Sequence, residues 1–418
     1  MARARIGLVG CGAMGRRHIA GYAELRRLEH ANIEVVGLCD LDENAAEELA
    51  EETRVLTGSR PRVFRSIATM AESIDGLVGI DITTDIKSHH RVAIECLDRG
   101  LYVQVEKPLA ITMRAATLMA RAARRNERAL IVADNFRRDP MNRLARALID
   151  DGAIGAPHMC IDISARGGDR VVGSAWRHDR LSGGVTLDLG IHAASILRYL
   201  LGDVESVVGI TRLLRPVRRR PDDGRELGRR RARGQITATA DDALWALLRF
   251  KSGAIGQWCL NAGAAGLPLR QRIIHGERGS LVVSADATGR APRLDLLSGR
   301  SITDDALLEY APSYRLDSVA ARAFERDRST SYSLSAVEVD RKLLALVLHE
   351  FGDVIAGNRL PEVGVDDGRR DVALVLAVSE SAILSGYVSL DQVEDGSVDA
   401  HQRDHDADLG LIEVLSIE

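Results

Sequence analysis

The chain has 418 residues, of which 45% are hydrophobic and 28% are charged, and its formal net charge is −4. At about 100–200 residues per domain, this length predicts two or three domains with a sizeable buried core. The slightly acidic balance excludes a general nucleic-acid binder, which would carry a strong basic excess.

The first 135 residues alternate short apolar runs with helical stretches. We predict strands at residues 6–9, 33–38, 77–82, 102–105 and 130–133. Helices are predicted at about 14–28, from about 43, at 88–98 and at 113–125. Such alternation indicates a parallel sheet with helices on both faces. We therefore expect a Rossmann domain over residues 1–135.

A glycine-rich motif, Gly10-Cys11-Gly12-Ala13-Met14-Gly15, follows the first predicted strand and opens the first predicted helix. In this context Gly10 permits a tight turn, Gly12 lets the backbone approach a pyrophosphate, and Gly15 lets the helix pack on the strand. The phosphates would then lie at the helix N-terminus, near Ala13 and Met14, where free N–H groups favour anions. The motif predicts a dinucleotide site; the alternative is a glycine-rich turn in an unrelated α/β protein.

Asp40 ends the second predicted strand, and Leu41-Asp42-Glu43 follow it without an arginine. A carboxylate at this position accepts hydrogen bonds from the adenosine ribose hydroxyls and would repel a 2′-phosphate. The sequence therefore favours NAD over NADP as the cofactor. The alternative is that Asp40 only caps the helix that begins near Glu43.

Glu106-Lys107-Pro108 stands at the carboxyl end of a predicted strand, where ligands bind in open α/β sheets. Lys107 could donate to, or exchange a proton with, a carbinol oxygen of a substrate. The alternative is a surface turn.

After Asn135 the pattern changes to longer strand-like runs. A helix at residues 140–149 is followed by predicted strands at 158–164, 204–210, 242–250, 254–260, 272–275 and 280–283. Helices are predicted after Leu187, at about 340–356 and at about 371–384. We expect an α+β domain over residues 136–395 with a large, mostly antiparallel open sheet, and an acidic, flexible tail over 396–418.

A basic stretch covers residues 212–233 and includes Arg218-Arg219-Arg220 and Arg229-Arg230-Arg231. Because glycine, proline and aspartate interrupt it, we predict a loop with solvated charges. The functional alternatives are the rim of a pocket that meets anions, or a contact between subunits.

Asp188 and His192 are four residues apart, behind the pair Gly183-Gly184. On a helix they would share one face and present a carboxylate and an imidazole to one substrate. Histidine titrates near neutral pH, which suits proton transfer. The alternative for His192 is a core histidine with satisfied hydrogen bonds.

Taken together, Glu-Lys-Pro after a Rossmann strand and Asp-x-x-x-His some 80 residues later resemble the Gfo/Idh/MocA oxidoreductases. Residues 135–140, Asn-Phe-Arg-Arg-Asp-Pro, resemble the segment where these proteins leave the Rossmann domain, and Trp176-Arg177 also fit the pattern. The resemblance covers about residues 5–390 and is specific to the family, though not to a substrate.

The resemblance implies roles for the matched residues. Lys107 would contact the nicotinamide ribose and the substrate, His192 would accept or donate the proton, and Asp188 would hold substrate hydroxyls. Further cofactor contacts would come from Thr83, Thr84, His89 and Glu106, and further substrate contacts from Asn135, Trp176 and Arg177. One departure is Thr84-Asp85, because the family usually has Thr-Pro there.

These features predict an NAD-dependent dehydrogenase or reductase of a sugar, cyclitol or glycoside. One alternative is a redox-neutral enzyme that retains and recycles its NAD, for example in glycoside cleavage through a 3-keto intermediate. Another is a non-catalytic dinucleotide-binding regulatory protein. We expect a cytoplasmic protein without a bound metal, a signal peptide or a membrane span, because the five cysteines are scattered and apolar runs are short. We also expect a homodimer or homotetramer, because the apolar face of a large sheet must be covered and the family that the chain resembles usually covers it with another subunit.

Overall fold

The structure, a computed structural model, describes residues 3–220 and 234–412. The strands of the first part are β1 (Ala4–Val9), β2 (Ile33–Cys39), β3 (Arg62–Phe64), β4 (Leu77–Ile82), β5 (Tyr102–Glu106) and β6 (Leu130–Ala133). The helices between them are α1 (Ala13–Arg27), α2 (Glu43–Thr57), α3 (Ile67–Ser73), α4 (His89–Asp98) and α5 (Met113–Arg125).

The second part is richer in strands. Its helices are α6 (Pro140–Asp150), α7 (Gly184–Leu201), α8 (Ser318–Phe324), α9 (Ala336–Ile355), α10 (Val365–Leu384), α11 (Leu390–Glu394) and α12 (Arg403–Asp408). The longer strands are β7 (Pro157–Gly167), β8 (Val204–Arg212), β11 (Ala243–Phe250), β12 (Ile255–Ala264), β13 (Leu269–Gly276), β14 (Gly279–Val283) and β15 (Arg293–Leu296). Three residues or fewer make up β9 (Val217–Arg219), β10 (Gln235–Thr237), β16 (Ser301–Ile302) and β17 (Val388–Ser389).

The chain divides into two compact units, one of residues 1–135 and 337–369 and one of residues 136–336 and 370–418. The first unit contains a six-stranded sheet in the order β3-β2-β1-β4-β5-β6, with every pair parallel. This order is that of a doubly wound Rossmann sheet, whose ligand crevice lies at the carboxyl ends of the strands beside β1. The predicted Rossmann fold is confirmed.

Residues 337–369 belong to the first unit, whereas the sequence analysis assigned them to the second domain. The reason is that α9 packs its apolar side chains onto the Rossmann unit. A Cβ atom at Gly79 would lie 2.9 Å from the Phe351 ring, and one at Gly21 would lie 2.9 Å from Leu348. Apolar periodicity predicted this helix but could not indicate its packing partner.

The second unit contains a nine-stranded sheet in the order β16-β15-β14-β13-β7-β12-β11-β8-β17. Among the described strands, β7 and β12 form its one parallel pair, which agrees with a mostly antiparallel sheet. Alternate residues of β11 are buried and exposed, as expected for a strand with one covered face. Helices α7 and α10 lie on the covered face, where Gly190 approaches Trp258 and Gly209 approaches Val378.

Two segments differ from the expectations. Residues 217–219 and 235–237 pair as an antiparallel ribbon, and Arg218 is fully buried with its guanidinium 2.6 Å from Asp242. Arg218 is therefore structural and not a solvated loop residue, because a buried carboxylate compensates its charge; residues 229–231 lie outside the described ranges. The tail is not a free segment up to residue 412: α12 packs there, and His405 is buried 2.9 Å from the carbonyl of Arg180.

Candidate functional site

The glycine motif forms a turn between β1 and α1 that fits a dinucleotide. Gly10 has a φ of +102°, and a Cβ atom there would lie 2.7 Å from the backbone nitrogen of Thr84. A Cβ at Gly15 would lie 2.4 Å from the carbonyl oxygen of Gly10, so both positions require glycine. At Gly12 a Cβ would meet nothing within 4 Å, and Gly12 itself is exposed.

The N-terminus of α1 is suited to phosphate groups. Gly12 precedes the helix without a side-chain cap, the first turn carries no acidic residue, and Ala13 and Met14 are half-buried there. The uncapped N–H groups and the positive end of the helix dipole therefore face an open approach. These features fit the pyrophosphate of a dinucleotide.

Asp40 follows β2 and is tied to the glycine turn. Its Oδ2 accepts a hydrogen bond from the backbone N–H of Cys11 at 2.6 Å, and its Oδ1 accepts one from Asp42 at 2.9 Å. The capping alternative does not hold, because Asp42 is the residue whose side chain accepts from Asn44 and Ala45 at the start of α2. Each oxygen of the Asp40 carboxylate keeps a lone pair for a further donor.

The segment after β4 lies directly against the glycine turn. The hydroxyl of Thr83 donates to the carbonyl of Gly10 at 2.6 Å. His89 is buried, with Nδ1 3.1 Å from the carbonyl of Pro108 and Nε2 3.3 Å from the carbonyl of Thr84. Burial lowers the pKa of His89, which favours a neutral ring in this position. The residue that replaces the usual proline, Asp85, is exposed and accepts from the Ser88 hydroxyl at 3.0 Å.

Glu106 ends β5 and belongs to a buried charged group that we call the histidine cluster: His18, Asp81 and Glu106. His18 Nδ1 lies 2.7 Å from Asp81 and Nε2 lies 2.8 Å from Glu106. Neutral imidazole has a single N–H and cannot donate to both groups, so the ring must be an imidazolium when both carboxylates are ionised. Tyr22 and Gln104 also donate to Asp81, at 2.9 and 3.0 Å.

The electrostatics of the histidine cluster agree with a charged ring. Burial alone would lower the pKa of His18, but attraction to Asp81 and hydrogen bonds to both carboxylates raise it to about 10. Burial would raise the pKa of Glu106, but the hydrogen bond from His18 and the charge of Lys107 lower it. Lys107 itself is half-buried and directly follows Glu106. The cluster therefore holds an ionised carboxylate beside Lys107.

Asp188 and His192 lie on α7 in the second unit, in adjacent turns as predicted. Asp188 is buried and its Oδ2 accepts from Arg177 Nε at 2.6 Å. The guanidinium of Arg177 stacks on the ring of Trp176 at 4.4 Å and also donates to Ser174. Trp176 and Arg177 thus orient Asp188 in this structure. Asn135 is buried at the end of the first unit, two residues after β6.

His192 lines a cavity of about 350 Å³ in the second unit. Its ring packs against Phe136, with the ring centroids 4.4 Å apart. Residues of β7, β12 and β13 also border the cavity, and sequence reasoning identified none of them: Ser164, Arg166, Trp258, Leu260, Asn261, Ala262 and Arg270. The alternation of side chains along β7 could have indicated which of its residues share a face. It could not indicate which other strands lie beside β7.

A second charged group, the arginine cluster, consists of the buried pair Asp162 and Arg272 and the half-buried pair Arg270 and Asp286. Arg272 lies 2.6 Å from Asp162 and 2.9 Å from Asp286, and Arg270 lies 2.9 Å from Asp162 and 3.1 Å from Asp286. Burial would raise the pKa of Asp286, but the two guanidinium groups hold it well below its usual range. Each charge therefore has two opposite partners. Arg270 and Asp286 also line the cavity.

Between residues 3 and 220 and between 234 and 412, no three His, Cys, Asp or Glu side chains are grouped as a metal site would require. In those same ranges no helix combines the length and the apolar character that crossing a membrane demands.

Comparisons with known proteins identify both parts of the chain. The model of the oxidoreductase family GFO/IDH/MocA, NAD-binding Rossmann fold, matches residues 4–134, and the model of the GFO/IDH/MocA C-terminal domain matches residues 142–282. Together they cover about two thirds of the chain.

Individual relatives are distant. D-apiose dehydrogenase of Paraburkholderia graminis is 29% identical over 206 residues, which is 49% of this chain and 51% of that protein, so the match spans about half of each. Myo-inositol 2-dehydrogenase of Thermotoga maritima is 23% identical over 93% of this chain and 99% of that protein. The solved structure of levoglucosan dehydrogenase in complex with NADH has a TM-score of 0.72 at 22% identity, over 93% of this chain and 99% of that chain. The similarity to the levoglucosan dehydrogenase structure shows the fold alone.

Proposed function

The chain belongs to the Gfo/Idh/MocA family of NAD-binding oxidoreductases, and we propose that it oxidises a secondary alcohol, or reduces the matching ketone, of a sugar, cyclitol or glycoside. The observation that carries this proposal is the intact set of groups in both units. The glycine turn, Asp40 and Lys107 stand at the carboxyl end of the Rossmann sheet, and His192 lines a cavity in the second unit.

The chain's own residues would manage binding and the proton. When bound, NAD supplies the hydride-accepting carbon of its nicotinamide ring. Lys107 would hold the reacting oxygen of the substrate and exchange its proton, with the ionised Glu106 fixed behind it by His18. His192 would accept or donate the proton, and Asp188, oriented by Arg177, would hold hydroxyl groups. Thr83, Thr84 and His89 would shape the floor of the nicotinamide pocket.

A substrate screen tests the proposed reaction. Sugars, cyclitols and glycosides are incubated with NAD and the protein, and the absorbance of NADH is followed. We expect reduction of NAD with at least one compound, and a rate about 10²–10⁴-fold lower in the Lys107→Met variant, which keeps an unbranched side chain of similar length. Equal rates in both proteins would contradict the assignment of Lys107.

The redox-neutral alternative predicts a different outcome of the same screen. An enzyme that recycles its NAD would copurify with bound cofactor and convert a glycoside without net NADH. Product analysis by mass spectrometry beside the absorbance measurement separates the two reactions. A non-catalytic regulatory role is disfavoured because a chain released from catalysis has no need of Lys107 and His192, and both are present.

We also propose a homodimer or homotetramer. The uncovered face of the nine-stranded sheet exposes large apolar side chains, among them Ile210, Trp245 and Leu247. An apolar patch of this kind is usually covered by another subunit. Light scattering should give a dimer or tetramer mass for the native chain and a smaller mass for Leu247→Glu. The control Leu360→Glu, at a position of the first unit that is 87% exposed, should leave the mass unchanged.

We also propose that the protein is located in the cytoplasm. All five cysteines are buried free thiols, which is usual for proteins of a reducing compartment. Fractionation of the producing cells, with detection of the native chain by antibody, tests it.

A further inference from the structure

One side chain at the edge of the cavity beside His192 has no role in the proposed reaction: Arg166. Alternate residues of a strand point to the same face of a sheet, which places Asp162, Ser164 and Arg166 of β7 together. Asp162 belongs to the arginine cluster, whereas Ser164 and Arg166 border the cavity. Along this face of β7 the buried ion pairs come first, and the guanidinium of Arg166 follows at the exposed end of the face, beside the cavity.

The charges around the cavity do not cancel. Arg270 and Asp286 border it too, but they are held within the arginine cluster, where each has two opposite partners. For Arg166 no carboxylate of the described ranges lies within 4 Å. Within residues 3–220 and 234–412, Arg166 is thus the guanidinium at the cavity that has no carboxylate partner, and its side chain is exposed.

Hydrogen-bond donors are also in excess at this boundary. The Oδ1 of Asn261 accepts from the backbone N–H of Gly263 at 2.9 Å, and the amide nitrogen of Asn261 has no hydrogen-bond acceptor among the residues that the structure describes. Arg166 adds five N–H donors in a planar fork. Trp258 and Leu260 supply apolar walls, and an ionic hydrogen bond is stronger beside such walls than in open water.

We propose that this cavity takes a polyol that carries an acidic group, a carboxylate or a phosphate, and that Arg166 binds that group. A guanidinium pairs with either anion through two parallel hydrogen bonds, which would also fix the orientation of the polyol. The inference deepens the proposed function and rests on it, since it names the substrate class of the same site.

The test compares neutral polyols with their acidic counterparts. D-glucose, D-glucuronate, D-glucose 6-phosphate and the corresponding galactose and inositol derivatives are assayed with NAD, and kcat/KM is determined for the native chain, Arg166→Gln and Arg170→Gln. Arg170 is the matched control, because it is exposed, lies four residues further along and does not border the cavity. Binding of the same compounds in the presence of NADH is measured by calorimetry, which does not require turnover.

We expect the native chain to favour an acidic compound over its neutral counterpart by about 10–100-fold in kcat/KM, the value of one hydrogen bond to a charged group. Arg166→Gln should lose this preference and keep its rates with neutral polyols, and Arg170→Gln should behave like the native chain. The uronate and phosphate arms identify which anion is recognised.

The outcomes distinguish this inference from the proposed reaction. Equal kcat/KM for neutral and acidic compounds, or an acid preference that survives in Arg166→Gln, overturns the inference and leaves the reaction intact. If no compound is oxidised but calorimetry detects acid binding that depends on Arg166, the reaction fails and the anion site stands. If neither turnover nor acid binding occurs, both fail.

Discussion

The two units bury charge in different ways. The histidine cluster places one imidazolium between two carboxylates, whereas the arginine cluster alternates two guanidinium groups with two carboxylates. His18 can lose its proton as the pH rises through its pKa of about 10, whereas a guanidinium keeps its charge. The charge beside Lys107 therefore depends on pH, while the charges that border the cavity of His192 are fixed.

The largest expected effect concerns the residue of each unit that is proposed to transfer a proton. Lys107→Met and His192→Ala should each lower kcat by about 10²–10⁴-fold, the usual contribution of general acid–base catalysis. NAD affinity should change less, because the pyrophosphate is proposed to bind at the glycine turn and not at these side chains. If both residues act on one carbinol, the double variant should lose much less than the product of the single losses.

Steady-state kinetics and melting temperature on these three variants separate catalysis from stability. A core role for His192 would instead lower the melting temperature of His192→Ala with nearly normal turnover of the folded protein. Fully multiplicative losses in the double variant would contradict a shared carbinol.

The fixed charges of the arginine cluster should matter most for stability. Arg272→Met removes a fully buried guanidinium and leaves Asp162 and Asp286 with Arg270 alone. Breaking a buried ion pair on one side costs about 3–5 kcal/mol, so the second unit should unfold at clearly lower urea concentration. The control is Arg293→Met, which breaks an exposed pair with Asp295 and should cost about 0–1 kcal/mol. Similar losses of unfolding free energy in both variants would contradict the larger contribution expected of the buried ion pairs.

The contrast between the units also explains what the sequence could reveal. In the first unit the glycine motif follows β1, Asp40 follows β2 and Glu106-Lys107 lies at the end of β5. Parallel strands bring their carboxyl ends to one edge of the sheet, so local patterns identified these candidate residues. Asp162, Arg272 and Asp286 meet only because β13 pairs with β7 in one particular register, which no local pattern encodes. His18 was missed for a similar reason: Asp81 and Glu106 are 63 and 88 residues away. Arg166 was inconspicuous because its significance depends on which neighbouring charges are already paired.

Asp40 differs from the carboxylates of the two clusters, because backbone amides and not cations are the donors to its oxygens. Asp40 accepts from the N–H groups of Cys11 and Asp42, which leaves its negative charge for the ribose side of the cofactor. We expect tighter binding of NAD than of NADP, and Asp40→Ala should weaken NAD binding by about 10–100-fold, the value of hydrogen bonds to a charged group. NADP binding should fall less or improve, because the repulsion of the 2′-phosphate is removed. Calorimetric titration of both cofactors measures this, and native affinity for NADP equal to that for NAD would contradict it.

The smallest expected effect is the pH dependence that distinguishes the histidine cluster from the arginine cluster. Asp81 and Glu106 raise the pKa of His18 from its usual value of 6.5 to about 10 in the folded protein. The protonated ring therefore stabilises the folded state. This contribution is complete below pH 6.5 and is lost as the pH rises through about 10. Loss of one ionic hydrogen bond should lower the melting temperature by roughly 5 °C.

The measurement is a series of melting curves of the native chain between pH 6.5 and 10.5, beside His18→Gln and Tyr22→Phe. His18→Gln should have a lower melting temperature than the native chain at pH 7. Most of the fall in melting temperature with rising pH should be absent in this variant, because the glutamine amide does not titrate. Tyr22→Phe is the matched control: it removes a neutral donor to Asp81 and leaves both bonds of His18 in place, so the decline should persist. An identical decline in His18→Gln would assign it to other groups, and the ring between the two carboxylates would then be neutral with one of the carboxyl groups protonated.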